Sequence, residues 1–243
     1  MISITWNMGS FLSLTGLAFG LCCSLFLFYE WLKHRREQRF LLLWSISLTL
    51  FYIFLIPFIQ VNFGETIVLA DWNNFFISTI PLIFLGWVFF YSGIIQIKTS
   101  TTGEKSTKLT VLLSFWVLAS FIFYSFRFSS IEYGKLLSII GIFIFFIAIH
   151  IFILYALWNW FKLERWKKIR GLNTGIIFIA GAITVSIARY LLVLNSLTRL
   201  PRDFWFLSIA SFDIVFILRS VVVILLAIGI VLVHKHYVLK FGI

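Results

Sequence analysis

The sequence predicts an all-α integral membrane protein: a bundle of seven transmembrane helices with the N-terminus outside and the C-terminus cytoplasmic. Two observations carry that expectation. The composition, 61% hydrophobic, 20% aromatic and 12% charged, lies outside the range of soluble domains. The basic residues also fall in every second gap between long Phe- and Ile-rich stretches. Lys33 to Arg39, Lys98 to Lys108, Lys162 to Arg170 and the tail with Lys235 and Lys240 hold fourteen of the twenty Lys and Arg residues. The intervening gaps carry only Arg127, Lys135, Arg199 and Arg202. Cationic loops are retained on the cytoplasmic side, so this alternation sets the orientation as well as the number of crossings.

A helical crossing needs about 20 apolar residues. Seven stretches meet that need: roughly 9–31, 40–61, 73–97, 109–126, 136–160, 172–194 and 206–233. The first has no basic n-region and ends in charge, so it reads as an uncleaved span rather than a signal peptide. It carries Gly16, Gly20 and Ser24 at four-residue spacing, a small-residue stripe that lets a second helix approach closely. Its cysteines, Cys22 and Cys23, are adjacent and the only ones in the chain, so no intrachain disulfide is expected. The second and third spans contain Pro57 and Pro81, both in their outer parts. Kinks there would splay two helix ends and open an outward-facing cavity. Trp31, Trp72, Trp158, Trp160, Trp166 and Trp205 fall near span ends, as in an interfacial aromatic belt. No linker or repeat divides the chain, so residues 1–243 are expected to form a single transmembrane domain.

Ionisable groups inside the membrane are costly, and so are functional candidates. They are His150 in span 5, Arg189 in span 6, and Asp213 and Arg219 in span 7. Taken from the apolar boundaries, Arg189 lies roughly 9 Å and Asp213 roughly 11 Å below the outer surface. The expectation is a structural Arg189–Asp213 ion pair. Arg219 comes out roughly 20 Å deep, with no carboxylate at its level, and His150 lies at a similar depth. Either can be satisfied structurally or can serve ligand recognition. Tyr124, Arg127, Arg189, Tyr190 and Asp213 are the candidate lining residues of the outer-half cavity, with Arg219 and His150 deeper. At the inner surface Glu30 and His34 share a helix side, and His234 and His236 close span 7. This spacing matches no recognised metal motif, and no metal is expected.

The basic exit of span 1 leads into RFLLLWSISLTLFYIFLIPF (39–58), followed by WNNFFISTIPLIFLGWVFFYSG (72–93). Together these resemble the N-terminal seven-transmembrane input region of sensor histidine kinases. The resemblance rests on the Arg-rich first inner loop and on Trp44, Pro81, Trp87 and Tyr91. The stretch ERWKKIRGLNTGIIFIAGAITVSIARYLLVL (164–194) is similar in pattern. The resemblance implies a sensory module. The residues after span 7, HKHYVLKFGI, hold no kinase, so signalling is expected to pass through a separate partner.

The same residues weigh against other classes. The cations behind the +11 net charge are divided among short loops rather than gathered on one face, which argues against nucleic acid. They suit the anionic inner leaflet, where each gains roughly 1 kcal/mol. Covalent retinal needs a Lys in the last span, and span 7 has none; Arg219 cannot replace it because a guanidinium stays protonated. A transmembrane haem wants paired histidines, and only His150 lies well inside. With no catalytic motif, no enzyme and no cofactor are expected. The expected function is a receptor-like or sensory multi-pass protein of the cell membrane, binding a small apolar or amphipathic ligand. Its expected partners are membrane lipids, that ligand, and a protein docked at the basic cytoplasmic loops or within the membrane. The alternatives are a non-catalytic subunit of a larger membrane complex and a small-solute transporter.

Overall fold

A computed structural model of the chain describes residues 8–34, 38–52, 69–102, 109–127, 132–162, 170–199 and 209–241. Side chains are described over 15–34 except 17, and over 38–51, 80–97, 109–125, 140–162, 171–192 and 217–236. Nearly all of the described backbone is helical, and no strand occurs within it. The seven described helices are α1 (Met8–Lys33), α2 (Arg39–Tyr52), α3 (Leu69–Thr102), α4 (Leu109–Arg127), α5 (Glu132–Lys162), α6 (Arg170–Arg199) and α7 (Ile209–Phe241). Each overlaps one of the stretches expected from hydropathy. Among the described residues, four segments are long and apolar enough to cross a membrane: Ile80–Ile97, Ile140–Lys162, Gly171–Leu192 and Ile217–His236. Arg39–Phe51 and Leu109–Ser125 are shorter apolar helices. This is the make-up of a helical membrane protein. Helix α3 runs past Lys98 into a stretch expected to be loop, and α6 continues to Arg199, beyond the apolar boundary at 194. Apolarity marks where hydrocarbon ends; the helix itself can continue into water, because its hydrogen bonds are internal.

The chain forms two compact units. A central unit comprises Ser24–Phe152, and a terminal unit joins Met1–Cys23 to Ile153–Ile243.

The central unit is organised by the antiparallel seam between α2 and α3. Trp44 and Phe51 of α2 are seven residues apart, and so are Gly93 and Gly86 of α3. Seven residues is close to two helical turns, so each pair returns to one face. The aromatic rings fill the spaces the glycines leave. A Cβ on Gly93 would stand 2.5 Å from Trp44 Nε1, and one on Gly86 would stand 2.8 Å from Phe51 Cε1. With its ring seated there, Trp44 Nε1–H donates to the Phe90 carbonyl at 3.1 Å. The Trp44 ring also stacks on Phe90 at 5.7 Å. An indole N–H buried in hydrocarbon without an acceptor would cost several kcal/mol on a rough scale.

The remaining contacts of this unit extend the same theme. Between α1 and α2, Ser24 Oγ donates to the Ser45 carbonyl and Ser45 Oγ donates to the Ser24 carbonyl, each at 2.9 Å. Thr49 Oγ1 lies 2.8 Å from Ser24 Oγ. Ser24, read as one of the small residues of span 1, thus supplies close approach and hydrogen bonds together. Pro81 lies inside α3 without ending it, and its carbonyl accepts from Trp116 Nε1–H of α4 at 2.8 Å. Phe84 joins α3 to α5 through Phe146, with ring centroids 5.5 Å apart. Pro57 and the outer part of span 2, on which the expected cavity depended, lie outside the described residues.

In the terminal unit α6 and α7 pack backbone to backbone. A Cβ on Gly175 would meet the Gly229 carbonyl at 2.9 Å, and one on Gly229 would meet the Gly175 carbonyl at 2.9 Å. Gly171 faces His236 and Gly229 faces Ile179. Gly171 and Gly175 are four residues apart, the spacing by which small residues bring membrane helices together. Gly16 of α1 has Ser220 of α7 as its nearest neighbour. Cys22 is exposed, Cys23 is buried, and both are free thiols.

The Trp44–Gly93 fit has a measurable cost when it is disturbed. Gly93→Ala is expected to destabilise the protein by about 1–3 kcal/mol through overpacking, read from reversible unfolding in mixed micelles. Trp44→Ala removes the atoms that the new methyl would strike. The double variant is therefore expected to lose less than the sum of the two single losses.

Candidate ligand site on the α6–α7 hairpin

The contacts between α6 and α7 fix the register of the hairpin, and with it the level of every residue along it. Ile179 meets Gly229; Arg189 lies ten residues after Ile179, and Arg219 lies ten residues before Gly229. Because the helices are antiparallel, both steps climb the same way, about 15 Å. Gly229 also meets the Gly175 carbonyl, so Arg189 and Arg219 stand at the same level to within about one helical turn. Arg189 lies three residues before the end of the apolar segment Gly171–Leu192, and Arg219 two residues after the start of Ile217–His236. Apolar boundaries alone set the two arginines at different depths, because they place the end of span 6 and the start of span 7 unequally about the turn.

The two side chains have different surroundings. Arg189 is half-buried, and its Cζ lies 4.9 Å from the centre of the Tyr190 ring. Its Nε is buried and has no hydrogen-bond partner among the described residues. Tyr190 is buried, so the guanidinium rests on a desolvated aromatic face, where cation–π attraction is worth about 2 kcal/mol. Arg219 is half-buried and is engaged by a contact of its own. Next to these arginines in sequence, Leu191, Leu192 and Val221 are exposed apolar side chains. Asp213 lies on α7, sixteen residues before Gly229, level with Asn195 of α6. Its side chain lies outside the described residues, and the expected ion pair with Arg189 lies outside them too.

The other candidate residues belong to the central unit. Tyr124 is half-buried on α4, edge-on to Phe123 at 5.4 Å. Arg127 is the last residue of α4, and its side chain lies outside the described residues. His150 is fully buried on α5. Its Nδ1 lies 2.6 Å from the Phe146 carbonyl, so that nitrogen carries the proton and donates one turn back along its own helix. The imidazole packs on Trp87 with centroids 4.2 Å apart, and Trp87 in turn meets Phe51 at 4.4 Å. His150 thus stands within an aromatic cluster.

At the C-terminal end of α1, Glu30 lies 3.3 Å from His34 Nε2 and 3.7 Å from Lys33 Nζ. Within the terminal unit, His234 is buried and His236 faces Gly171. Among the described residues no group of three His, Cys, Asp or Glu side chains could hold a metal ion. Sequence reasoning passed over Gln38, which is buried at the start of α2. Neither of its amide atoms has a hydrogen-bond partner among the described residues. An uncharged residue within the otherwise ionisable run 33–39 was the available signal.

In comparisons with known proteins, no family model, no curated protein and no solved structure matches the chain.

The His150 surroundings make a specific demand. His150→Phe keeps an aromatic ring beside Trp87 and is expected to hold stability within about 1.5 kcal/mol. His150→Ala leaves a cavity and is expected to cost about 3 kcal/mol. Unfolding midpoints of the two variants in the same micelles check the difference. Equal losses would mean that the ring nitrogens, rather than the ring volume, hold the site together.

Proposed function

We propose that the protein is a receptor-like, seven-span protein of the cell membrane, with its N-terminus outside and its C-terminus in the cytoplasm. It binds a small apolar or amphipathic molecule within the membrane and relays the binding to a separate protein at its basic inner loops. The observation that supports this reading is the pair of arginines at about one level of two largely apolar helices, α6 and α7. Charge within an apolar span is expensive unless it does work, and exposed apolar side chains on the same helices, such as Leu192, suit a molecule arriving from the bilayer. The reading requires neither a metal nor a catalytic group. A ligand would act by favouring one arrangement of α6 and α7 over another, through contacts it makes in only one of them. The sensor-kinase resemblance around Trp44, Pro81, Trp87 and Tyr91 supports the same class.

Two measurements test the proposal. In a background lacking Cys22 and Cys23, Gly103→Cys is expected to react with an impermeant thiol reagent only after cells are opened. Ser130→Cys is expected to react in intact cells; the opposite pattern would refute the orientation. Native mass spectrometry of the protein in mild detergent is expected to find a bound small amphiphile. Arg189→Ala, folded as judged by its elution, is expected to lose it. Retention of the same molecule by Arg189→Ala would remove the α6–α7 level from the site.

A further inference from the structure

The start of α2 buries a polar group without satisfying it. Gln38 stands at the cap of the helix, its carbonyl accepting from the Leu41 N–H at 3.0 Å. It is 5% exposed, and neither amide atom has a hydrogen-bond partner among the described residues. A side chain at this position ordinarily accepts from the N–H groups of the first turn, which have no partner within the helix itself. Here the amide makes no such bond. Ser24 and Ser45 exchange hydrogen bonds between α1 and α2, and Gln38 lies seven residues before Ser45, two turns along the same side. The amide therefore belongs to the groove between α1 and α2.

One flank of that groove is open and apolar, with a cation at its end. In antiparallel helices a step of one residue from the contact position turns toward the same flank on both, here to Leu25 of α1 and Ile46 of α2. Leu25 and Phe28 are exposed on this flank of α1, and Leu42 and Ile46 are partly exposed on this flank of α2. Arg39 continues the α2 row, three residues before Leu42 and seven before Ile46, and is exposed. As the first residue of α2 it leaves the backbone on a Cα–Cβ bond tilted toward the helix start, beside Gln38. Glu30 lies about 240° round α1 from Ser24, hence on the other flank, where it meets His34 and Lys33.

We infer that this groove binds an anionic phospholipid whose head group carries a hydroxyl as well as the phosphodiester. The inference rests on the helical membrane architecture and not on the receptor reading. The phosphodiester accepts from the Arg39 guanidinium, from Nε2 of Gln38 and from the N–H groups at the start of α2, where the helix dipole favours negative charge. A head-group hydroxyl donates to Oε1 of Gln38, so both halves of the amide are used. Turning the amide toward the mouth of the groove relieves the cost of burying it without partners. The acyl chain lies along Leu25, Phe28, Leu42 and Ile46. A choline head group offers Oε1 no donor, and it adds a cation beside the run Lys33 to Arg39, which already holds four cations against one carboxylate.

The test uses the full chain in mild detergent, titrated with phosphatidylglycerol, phosphatidylethanol, phosphatidylcholine and glycerol phosphate, with bound molecules counted by native mass spectrometry. Phosphatidylglycerol is expected to bind the wild type about tenfold more tightly than phosphatidylcholine, the scale of one hydrogen bond to a charged group. It is expected to bind about fivefold more tightly than phosphatidylethanol, which keeps the charged diester and lacks the hydroxyl. Arg39→Gln is expected to bring phosphatidylglycerol down toward phosphatidylcholine. Gln38→Leu is expected to erase the difference between phosphatidylglycerol and phosphatidylethanol. Lys33→Gln, nine residues after Ser24 and so on the side of α1 away from the groove, is expected to leave both preferences unchanged. Each variant is required to elute as the wild type does, and the exposed Arg39 keeps the test open if Gln38→Leu fails to fold. Equal binding of phosphatidylglycerol and phosphatidylcholine, or an undiminished preference in Arg39→Gln, overturns the site. A loss in Lys33→Gln as large as that in Arg39→Gln overturns it too, in favour of diffuse attraction to the basic run. Equal binding of phosphatidylethanol and phosphatidylglycerol, or a difference that survives Gln38→Leu, overturns the hydroxyl contact. Displacement of phosphatidylglycerol by an equal concentration of glycerol phosphate overturns the lipid as occupant, because a soluble ester gains nothing from the apolar flank.

Discussion

Inside a bilayer there is no water to satisfy a polar group, and this constraint governs the described structure. Backbone N–H and C=O groups are consumed by helices, and each remaining polar side chain must find a partner within the protein or accept a large penalty. The central unit meets the demand with short-range devices: the reciprocal Ser24–Ser45 bonds, the Trp44 indole on the Phe90 carbonyl, and the Trp116 indole on the Pro81 carbonyl. Each joins two helices and uses a carbonyl as acceptor, so satisfying a side chain also fixes a helix position. His150 meets it within its own helix, donating to Phe146.

Close approach makes these bonds possible, and small residues permit the approach. Gly93 and Gly86 open α3 to Trp44 and Phe51, while Gly175 and Gly229 bring two backbones together between α6 and α7. Lipid tails compete with side chains for apolar contact, so packing and hydrogen bonding between helices replace the hydrophobic effect as the cohesive terms. The glycine seam of α6 and α7 has a further consequence. By fixing the register it determines which side chains share a depth, and thereby turns two arginines distant in sequence into one feature of the hairpin.

Much of the helical framework was legible in the sequence, since apolar run length and the spacing of basic gaps act over whole segments. Seven apolar stretches correspond to the seven described helices, with ends that differ because helix and hydrocarbon need not stop together. The candidate site was legible in part. Arg189, Tyr190, Asp213 and Arg219 stood out as polar groups in apolar spans, and all four lie on the α6–α7 hairpin. Their mutual levels were not readable, because depth counted from an apolar boundary carries the error of that boundary on each helix. A register taken from helix-to-helix contact has no such error. The glycine contacts were harder still. Gly171 and Gly175 have a recognisable spacing, but nothing in the sequence pairs Gly93 with Trp44, since pairing depends on which helices become neighbours.

The central claim is that Arg189 and Arg219 share one depth. A nitroxide label placed at each position in turn, in a cysteine-free background in lipid, reports depth through its relative accessibility to oxygen and to a polar relaxation agent. The account predicts depths that agree within one helical turn, about 5 Å. A separation of two turns or more, about 11 Å, would contradict the register and the shared site built on it.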